Sequence, residues 1–436
     1  MRIFIGLVEI SGYYTNLKRG FDELGVDATF VDLSGHPFRY GPAGRPGPGK
    51  RLLLGLRRWA TARLGSKRFL RSLHRLFQAV VGIPLLVWGL FRYDVFIFGF
   101  GSSLCFYAEL PILKRFGKTV IHVFFGSDVR PPYVNGAETV GPDALGTKAC
   151  IRVARRRKRM LRRIERYADA LVDHPPQAQF HERPFVSWAF VGMPFSAPAA
   201  PQAQMPEPQT PAPAVAGARP VRVLHSPSIP LIKGTDRVRR IIADLRAGGH
   251  AIDYVEVSGK PHAVVLDELA RCDFVIDELY SDNLMAGLAT EAAFFGKPSV
   301  VGGYAGEELE RFFPPDRRPP VLYRHPDDVA QAVERLVTDE AFRLDLGRRA
   351  RDFVRTRYAP AAVAAAYLRI IRGDVPPEWL CDPATIRHVR GMGLPEDRCR
   401  RLVREVIEAG GVGALQLADK PDLERRFVEF AGLDTG

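Results

Sequence analysis

The sequence predicts two α/β units, each built on a parallel sheet and joined by a linker. Three observations predict this. Short, nearly continuous apolar runs alternate with helical periodicity in both halves of the chain. The rhythm breaks at Ser196–Pro220, a stretch of Ala, Pro and Gln with seven prolines and almost no large apolar residue. The chain is 436 residues long and 46% hydrophobic, which suffices for two cores.

In the first half, Arg2–Val8 reads as a buried strand, the Gly12 turn leads to a helix over about Thr15–Leu24, and Gly25 stops it. Asp27–Leu33 alternates like a second strand, and Asp94–Phe100 and Thr119–Phe125 are Val-, Ile- and Phe-rich runs suited to a sheet covered on both faces. Tyr167–His174 joins a helix end to one more strand. In the second half, Val221–Leu224, Asp253–Val257, Asp273–Ile276 and Pro298–Val301 are the expected strands, with helices at Asp236–Leu245, Asp327–Thr338 and Glu340–Tyr358. Glu396–Ala409 and Pro421–Ala431 also read as helical. The expected domains are residues 1–195, with a basic amphipathic insert at about 50–92; a linker at 196–220; a second α/β domain at 221–373; and a helical appendage at 374–436.

Five cysteines, an odd count without a CxxC pair, argue against a disulfide framework and a zinc site. The first apolar run is broken by Glu9 and reads as a strand, not a signal peptide. The longest, Ala79–Phe91, contains Pro84 and stops at Arg92, short of the roughly 18 residues a spanning helix needs. These features point to the cytoplasm. The net charge of +13 is clustered: Lys148–Arg166 holds ten Lys or Arg against one acid, Glu165. Leu52–Val81 is basic and amphipathic as well, with Phe69, Leu73, Leu76 and Val80 on one face. A solvated basic face is the plain explanation. An anionic membrane surface reached through Arg152, Arg155, Arg156, Arg159 and Arg163 ranks second, on the inner face of the cell membrane. Nucleic acid ranks a distant third, since no zinc finger, RNP motif or KH-type loop accompanies the charge.

The residues that can carry chemistry concentrate between Leu224 and Val301. Lys233-Gly234-Thr235 follows a strand and a Pro-containing loop, and a lysine at a helix start suits a diphosphate. Glu291, seven residues before Pro298, opens a helix and offers a carboxylate to a ribose; it also simply stabilises a first helical turn. Each alone is uninformative, but their order is not. "HSPSxPxxKGT", "DFVIDELY" and "GLATEAAFFGKPSVV" together resemble the C-terminal domain of glycosyltransferase family 4 and its relatives of the GT-B fold. In the first half, Ile10-Ser11-Gly12-Tyr13-Tyr14 resembles the Gly loop after the first strand of such enzymes, and His122 to Arg130 is similar to their "HxxGSDxR" stretch.

The resemblance implies two Rossmann-like domains facing across a cleft. It implies that Lys233 and Gly234, with Ser226 and Ser228, bind the donor diphosphate, and that Glu291 holds the ribose beside Gly287. It places Gly12, Tyr13, Gly126 and Ser127 on the acceptor side, with His122, Asp128 and Asn283 as catalytic candidates. A lone His near a strand end is more often structural. The implied reaction moves a hexose-type sugar from a nucleotide-sugar co-substrate to a glycan or lipid-linked acceptor, with retention, in cell-surface polysaccharide or glycolipid synthesis. It needs no metal and no further cofactor, and its main demand is stabilising the leaving diphosphate. Two departures stand out. The family's Arg before the lysine is replaced by Pro227-Ser228, and its first glutamate by Asn283, with Asp282 and Glu278 near enough to substitute. They motivate the alternative of a retired GT-B homologue that acts as a binding or scaffold protein. Another GT-B enzyme, such as a sugar-nucleotide epimerase, ranks below both.

Overall fold

The computed structural model describes residues 1–32, 82–196 and 219–433. The expected insert up to residue 81, with Phe69, Leu73, Leu76 and Val80, and most of the Ala/Pro-rich linker lie outside the described residues. The strands are β1 (Arg2–Leu7), β2 (Asp27–Asp32), β3 (Val95–Gly99), β4 (Thr119–Val123), β5 (Ala170–Asp173), β6 (Phe185–Ser187), β7 (Val221–His225), β8 (Ile252–Glu256), β9 (Phe274–Ile276), β10 (Ser299–Gly302), β11 (Leu322–Arg324) and β12 (Leu380–Cys381). They form a seven-stranded sheet in the order β12-β6-β5-β4-β3-β1-β2 and a five-stranded sheet in the order β11-β10-β9-β7-β8. Every pair is parallel except β12 on β6. These are the two parallel-sheet α/β domains the sequence predicts. Three strands escaped the sequence reading: β6, β11 and β12 are two or three residues long and leave almost no periodic signal.

The first sheet is covered on both faces, which is why β3 and β4 read as apolar runs. Phe4, Phe96, Phe98 and Val120 point to one side, where helices 82–92, Leu110–Arg115 and Thr147–Tyr167 pack. Ile3, Ile5, Ile97 and Ile121 point to the other, against Tyr13–Glu23 and Pro360–Arg372. The alternation follows the two-residue period of a strand. Thr147–Tyr167 runs 21 residues because nothing after Gly146 interrupts it: there is no Gly or Pro until the chain turns extended at Ala168. Its buried stripe is Cys150, Ile151, Ala154, Leu161 and Ile164.

The C-terminal residues return to the first domain. Pro360–Arg372 packs along Tyr13–Glu23, with the hydroxyls of Tyr13 and Tyr367 2.7 Å apart. The segment that follows then stitches the two domains together. β12 extends the first sheet, while the Arg311 guanidinium of the second domain donates to the Thr385 carbonyl and the Arg387 amide to Glu308 at 3.0 Å. The Met392 amide donates to the Val134 carbonyl at 3.1 Å, the Gly136 amide to the Met392 carbonyl at 2.8 Å, and the Gly393 amide to the Tyr280 carbonyl at 2.7 Å. Glycine is required at the crossing: a Cβ on Gly391 would lie 1.9 Å from the Val134 carbonyl oxygen. Helices Glu396–Gly410 and Pro421–Phe430 finish against Thr147–Tyr167, where Lys158 reaches Asp419 at 2.8 Å.

Candidate active site between the two sheets

In a parallel sheet, ligand loops gather at the C-terminal strand ends, at the point where strand order reverses. Here the reversals fall between β1 and β3 and between β7 and β9.

On the second domain, β7 ends at His225, which is fully buried. Its Nδ1 lies 2.8 Å from the Ile276 carbonyl and its Nε2 2.9 Å from Thr235 Oγ1. This imidazole therefore ties β7 to β9 and fixes the start of helix Thr235–Ala247. Lys233 precedes that start. Gly234 adopts a left-handed φ of 73° and would press a Cβ to 3.0 Å from Leu279 and the Tyr280 ring. Lys233 Nζ sits 2.8 Å from Glu278 Oε2 and 3.4 Å from Asp277 Oδ1. Burial lowers the ammonium's pKa, but the two carboxylates outweigh it and hold the group well above the usual lysine range. One cation thus faces two acids at the tip of β9. The Ser226 hydroxyl donates to the Val257 carbonyl at 3.0 Å, and Ser228 is exposed.

Glu291 lies in the second turn of Gly287–Phe294, so the helix begins four residues earlier than the sequence reading placed it. Its Oε1 is 2.8 Å from His262 Nε2, a contact that raises the imidazole's pKa. Gly287 is exposed, with no atom within 4 Å of the position a Cβ would take. Asn283 folds back on its own loop, its Oδ1 accepting from the Met285 amide at 3.2 Å. The neighbouring Asp282 instead crosses the cleft. Arg130 Nε donates to Asp282 Oδ2 at 2.8 Å, and His174 Nε2 lies 2.7 Å from the Asp282 carbonyl. Burial raises the Asp282 pKa, but Arg130 and His174 outweigh it and hold the carboxyl below its ordinary range.

On the first domain, Gly126–Asp128 forms a tight turn beyond β4. The Gly126 amide donates to Gln177 Oε1 at 3.0 Å, Ser127 Oγ accepts from Asn135 at 3.1 Å, and Asp128 Oδ2 accepts from the Phe125 amide at 3.2 Å. Asp128 keeps some exposed surface, yet its carboxyl is ringed by protein atoms; burial pushes its pKa up to about 7. A group near neutrality at a cleft is suited to proton transfer. His122 is placed differently. It lies inside β4, its ring 4.3 Å from Phe124 and 5.6 Å from Tyr107, and burial with nearby His181 pushes its pKa down to about 3. Gly12 takes a left-handed φ of 78° ahead of Tyr13, whose ring is buried against Phe125 and Tyr367. The amides of Tyr14 and Thr15 at that helix start donate to the Glu9 carboxylate at 3.1 and 3.0 Å, so a side chain of the protein fills the place an anion would take.

The structure thus pairs Arg130 with Asp282 across the domain interface, holds Lys233 with Asp277 and Glu278 at the tip of β9, and sets Glu291 with His262 on the second domain. Sequence reasoning missed His174, Asp277, His262 and the reach of Arg130. Arg130 closes the "HxxGSDxR" stretch and was the one signal available. Of the arginines assigned to a polyanion, Arg152, Arg155, Arg156, Arg159 and Arg163 are all exposed. Arg157 and Lys158 of the same run turn inward, to Glu138 at 2.7 Å and Asp419 at 2.8 Å.

A family model described as "Glycosyl transferase-like" matches residues 265–369, less than half of the chain, and spans Asn283 and Glu291 but not Lys233. No curated protein matches. Among solved structures, the chain is similar to Alr3699/HepE of Anabaena in complex with UDP-glucose, at 11% identity over 85% of this chain and 99% of that one with a TM-score of 0.46. It is similar to the glycotransferase of kitacinnamycin at 15% identity over 84% and 98%, TM-score 0.41. It is also similar to the glycosyltransferase SnogD of Streptomyces nogalater at 14% identity over 85% and 99%, TM-score 0.38. At these scores the likenesses carry no argument; the fold rests on the strand order and pairing described above.

Proposed function

We propose that the protein transfers a hexose-type sugar from a nucleotide-sugar donor to a glycan or lipid-linked acceptor, with retention of configuration, in cell-surface polysaccharide or glycolipid synthesis. One observation carries the reading. Lys233 and Glu291 stand on the helical segments that follow β7 and β9, Pro230–Lys233 and Gly287–Phe294, and the Gly126–Arg130 loop of the first domain meets the second domain beyond β9 through Asp282. In this reading Lys233 exchanges Asp277 and Glu278 for the donor diphosphate, and the amides at the start of Thr235–Ala247 add to its charge. Glu291 takes the ribose. Asp128, poised near neutrality, handles the acceptor proton. Leaving-group charge falls to these groups, without a resident metal or cofactor. The exposed Arg152, Arg155, Arg156, Arg159 and Arg163 draw the enzyme to the anionic inner face of the membrane.

The test is a thermal-shift and calorimetric panel of UDP, GDP, CDP, ADP and dTDP and their common sugars, with Glu291→Ala alongside. Stabilisation by one nucleotide family that disappears in the variant is the expected result. No shift with any nucleotide would sink the reading. A scaffold role then gains, and specific observations favour it: Lys233 is already neutralised by two carboxylates, and the 374–396 segment bridges the two domains.

A further inference from the structure

The helices over one face of the first sheet form a layer with an outer surface of two kinds. Helix 82–92 buries Leu86 and, just beyond its end, Tyr93, and turns Ile83, Val87, Trp88 and Phe91 outward at 52, 50, 45 and 79% exposure. These four lie at helical spacing on one side, and Arg92 follows them. The next piece of the layer adds exposed Phe106, Ile112 and Phe116. Neighbouring contacts fix the order: a Cβ on Gly82 would strike the Leu104 carbonyl, and Arg163 Nε donates to the Tyr107 carbonyl at 2.8 Å. Helix 82–92, the Leu104–Phe116 segment and Thr147–Tyr167 therefore lie side by side, with the exposed arginines on the last of them.

Scattered surface apolar residues need no explanation, but a row of Trp, Phe, Val and Ile on one exposed helix face does. A protein partner would need an apolar patch and an acidic patch side by side to account for both the row and the arginines beside it. A bilayer accounts for both, since acyl chains accept the apolar row and anionic headgroups the guanidinium groups. Trp and Phe at the boundary suit the headgroup level. Among the described residues, no helix is long and apolar enough to cross a membrane, so docking is from one side.

We infer that this helical layer is a one-sided membrane-docking surface, in which Val87, Trp88 and Phe91 enter the acyl boundary of an anionic bilayer while the arginines of Thr147–Tyr167 hold its headgroups. The inference goes beyond attraction by arginines, because it names the side chains that leave water, and it does not depend on the sugar-transfer reading.

The test uses the full chain with vesicles of phosphatidylcholine alone or with about a quarter phosphatidylglycerol. Co-sedimentation is expected with the anionic vesicles only and should weaken as salt rises. Phe91→Asp and Val87→Asp should each weaken partitioning by about tenfold while leaving the thermal midpoint in place, because these side chains are exposed. Trp88 emission should shift to the blue on binding and be quenched by brominated acyl chains, the change vanishing in Trp88→Phe. Arg155→Glu with Arg159→Glu should abolish binding at moderate salt. Three results would each overturn the inference: no binding to anionic vesicles, arginine-dependent binding that ignores Phe91→Asp and leaves Trp88 unquenched, or a fall in thermal midpoint for Phe91→Asp. The last would mean that protein rather than lipid covers the row.

Discussion

Arg130 and Asp282, 152 residues apart in sequence, form an ion pair across the cleft, with Nε 2.8 Å from Oδ2 and both side chains almost fully buried. The pair belongs to a network. The Arg130 guanidinium also donates to Gln177 at 3.3 Å, Gln177 donates on to Asp173, and Asp173 lies 2.9 Å from His181, whose other nitrogen is 2.8 Å from Glu165. The cleft is thereby wired to the basic helix that carries Glu165.

Removing one member of a buried pair strands the other in a low-dielectric site. Arg130→Ala should therefore cost about 3–5 kcal/mol in urea denaturation. The double change Arg130→Met with Asp282→Leu should recover most of that loss, because no charge is left unpaired. In small-angle scattering, both variants should show a larger spread of domain separations than the parent. A single variant as stable as the parent would show that the pair is solvated in solution.

Lys233 and Glu291 should separate stability from ligand binding. Lys233→Ala leaves Asp277 and Glu278 adjacent, buried and unneutralised, so the ligand-free protein should lose about 3 kcal/mol as well as nucleotide binding. Glu291→Ala loses one partly exposed contact with His262 and should shift stability by less than about 1 kcal/mol. Urea midpoints of the two ligand-free variants check this. If both fall equally, Glu291 braces the fold rather than awaiting a ligand.

Much of the fold was legible in the sequence, and the reason is chemical. β3 and β4 are covered on both faces, so their apolar runs stand out, and Gly25, at a left-handed φ of 70°, follows the end of helix Tyr13–Glu23 where a residue without a side chain is favoured. The site was legible only where a charged group sits in a recognisable run. Lys233 and Glu291 could be named as candidates in that way. Asp277 and His262 could not, because their surroundings come from the strand order that sets β9 beside β7 and from the start of helix His262–Arg271 beyond β8. His122 illustrates the converse: its motif context pointed to chemistry, while the alternation of β4 turns its ring among Phe124 and Tyr107. The bridging by residues 374–396 depends on a two-residue strand pair, isolated backbone bonds and the side chains of Arg311 and Glu308, which no periodicity announces.

That bridging should be sensitive to one added methyl group. Gly393 has a left-handed φ of 73°, and a Cβ there would lie 2.7 Å from Ile232 Cγ2, beside Lys233. Gly393→Ala should cost about 1–3 kcal/mol through strain and the clash. It should also speed hydrogen exchange at the Gly393 and Gly136 amides, which bond to Tyr280 and Met392. Unchanged exchange at both amides would show that the crossing is not held by these bonds.

Asp128 and His181 should each contribute stability that falls as pH rises from about 6 to about 8, while the imidazoles of His122, His174, His225 and His388, held below their ordinary range chiefly by burial, contribute in the opposite sense. Burial raises the Asp128 pKa to about 7, so between its unfolded value near 4 and that point the folded state binds the extra proton. Stability from this group therefore declines with pH over that window and levels off above it. For His181, burial lowers the pKa, but the carboxylates of Asp173 and Glu165 outweigh burial and raise it. Its contribution is complete below the unfolded value of about 6.5 and is lost as pH passes through the folded one. Both groups act in the same direction. Asp128→Asn should remove the first share, about 1 kcal/mol between the two pH values, and His181→Gln the second. Urea midpoints of the parent and both variants at about pH 6 and about pH 8 read the two contributions separately. Variants whose difference between the two pH values matches the parent's would show that neither group keeps its proton in the folded protein.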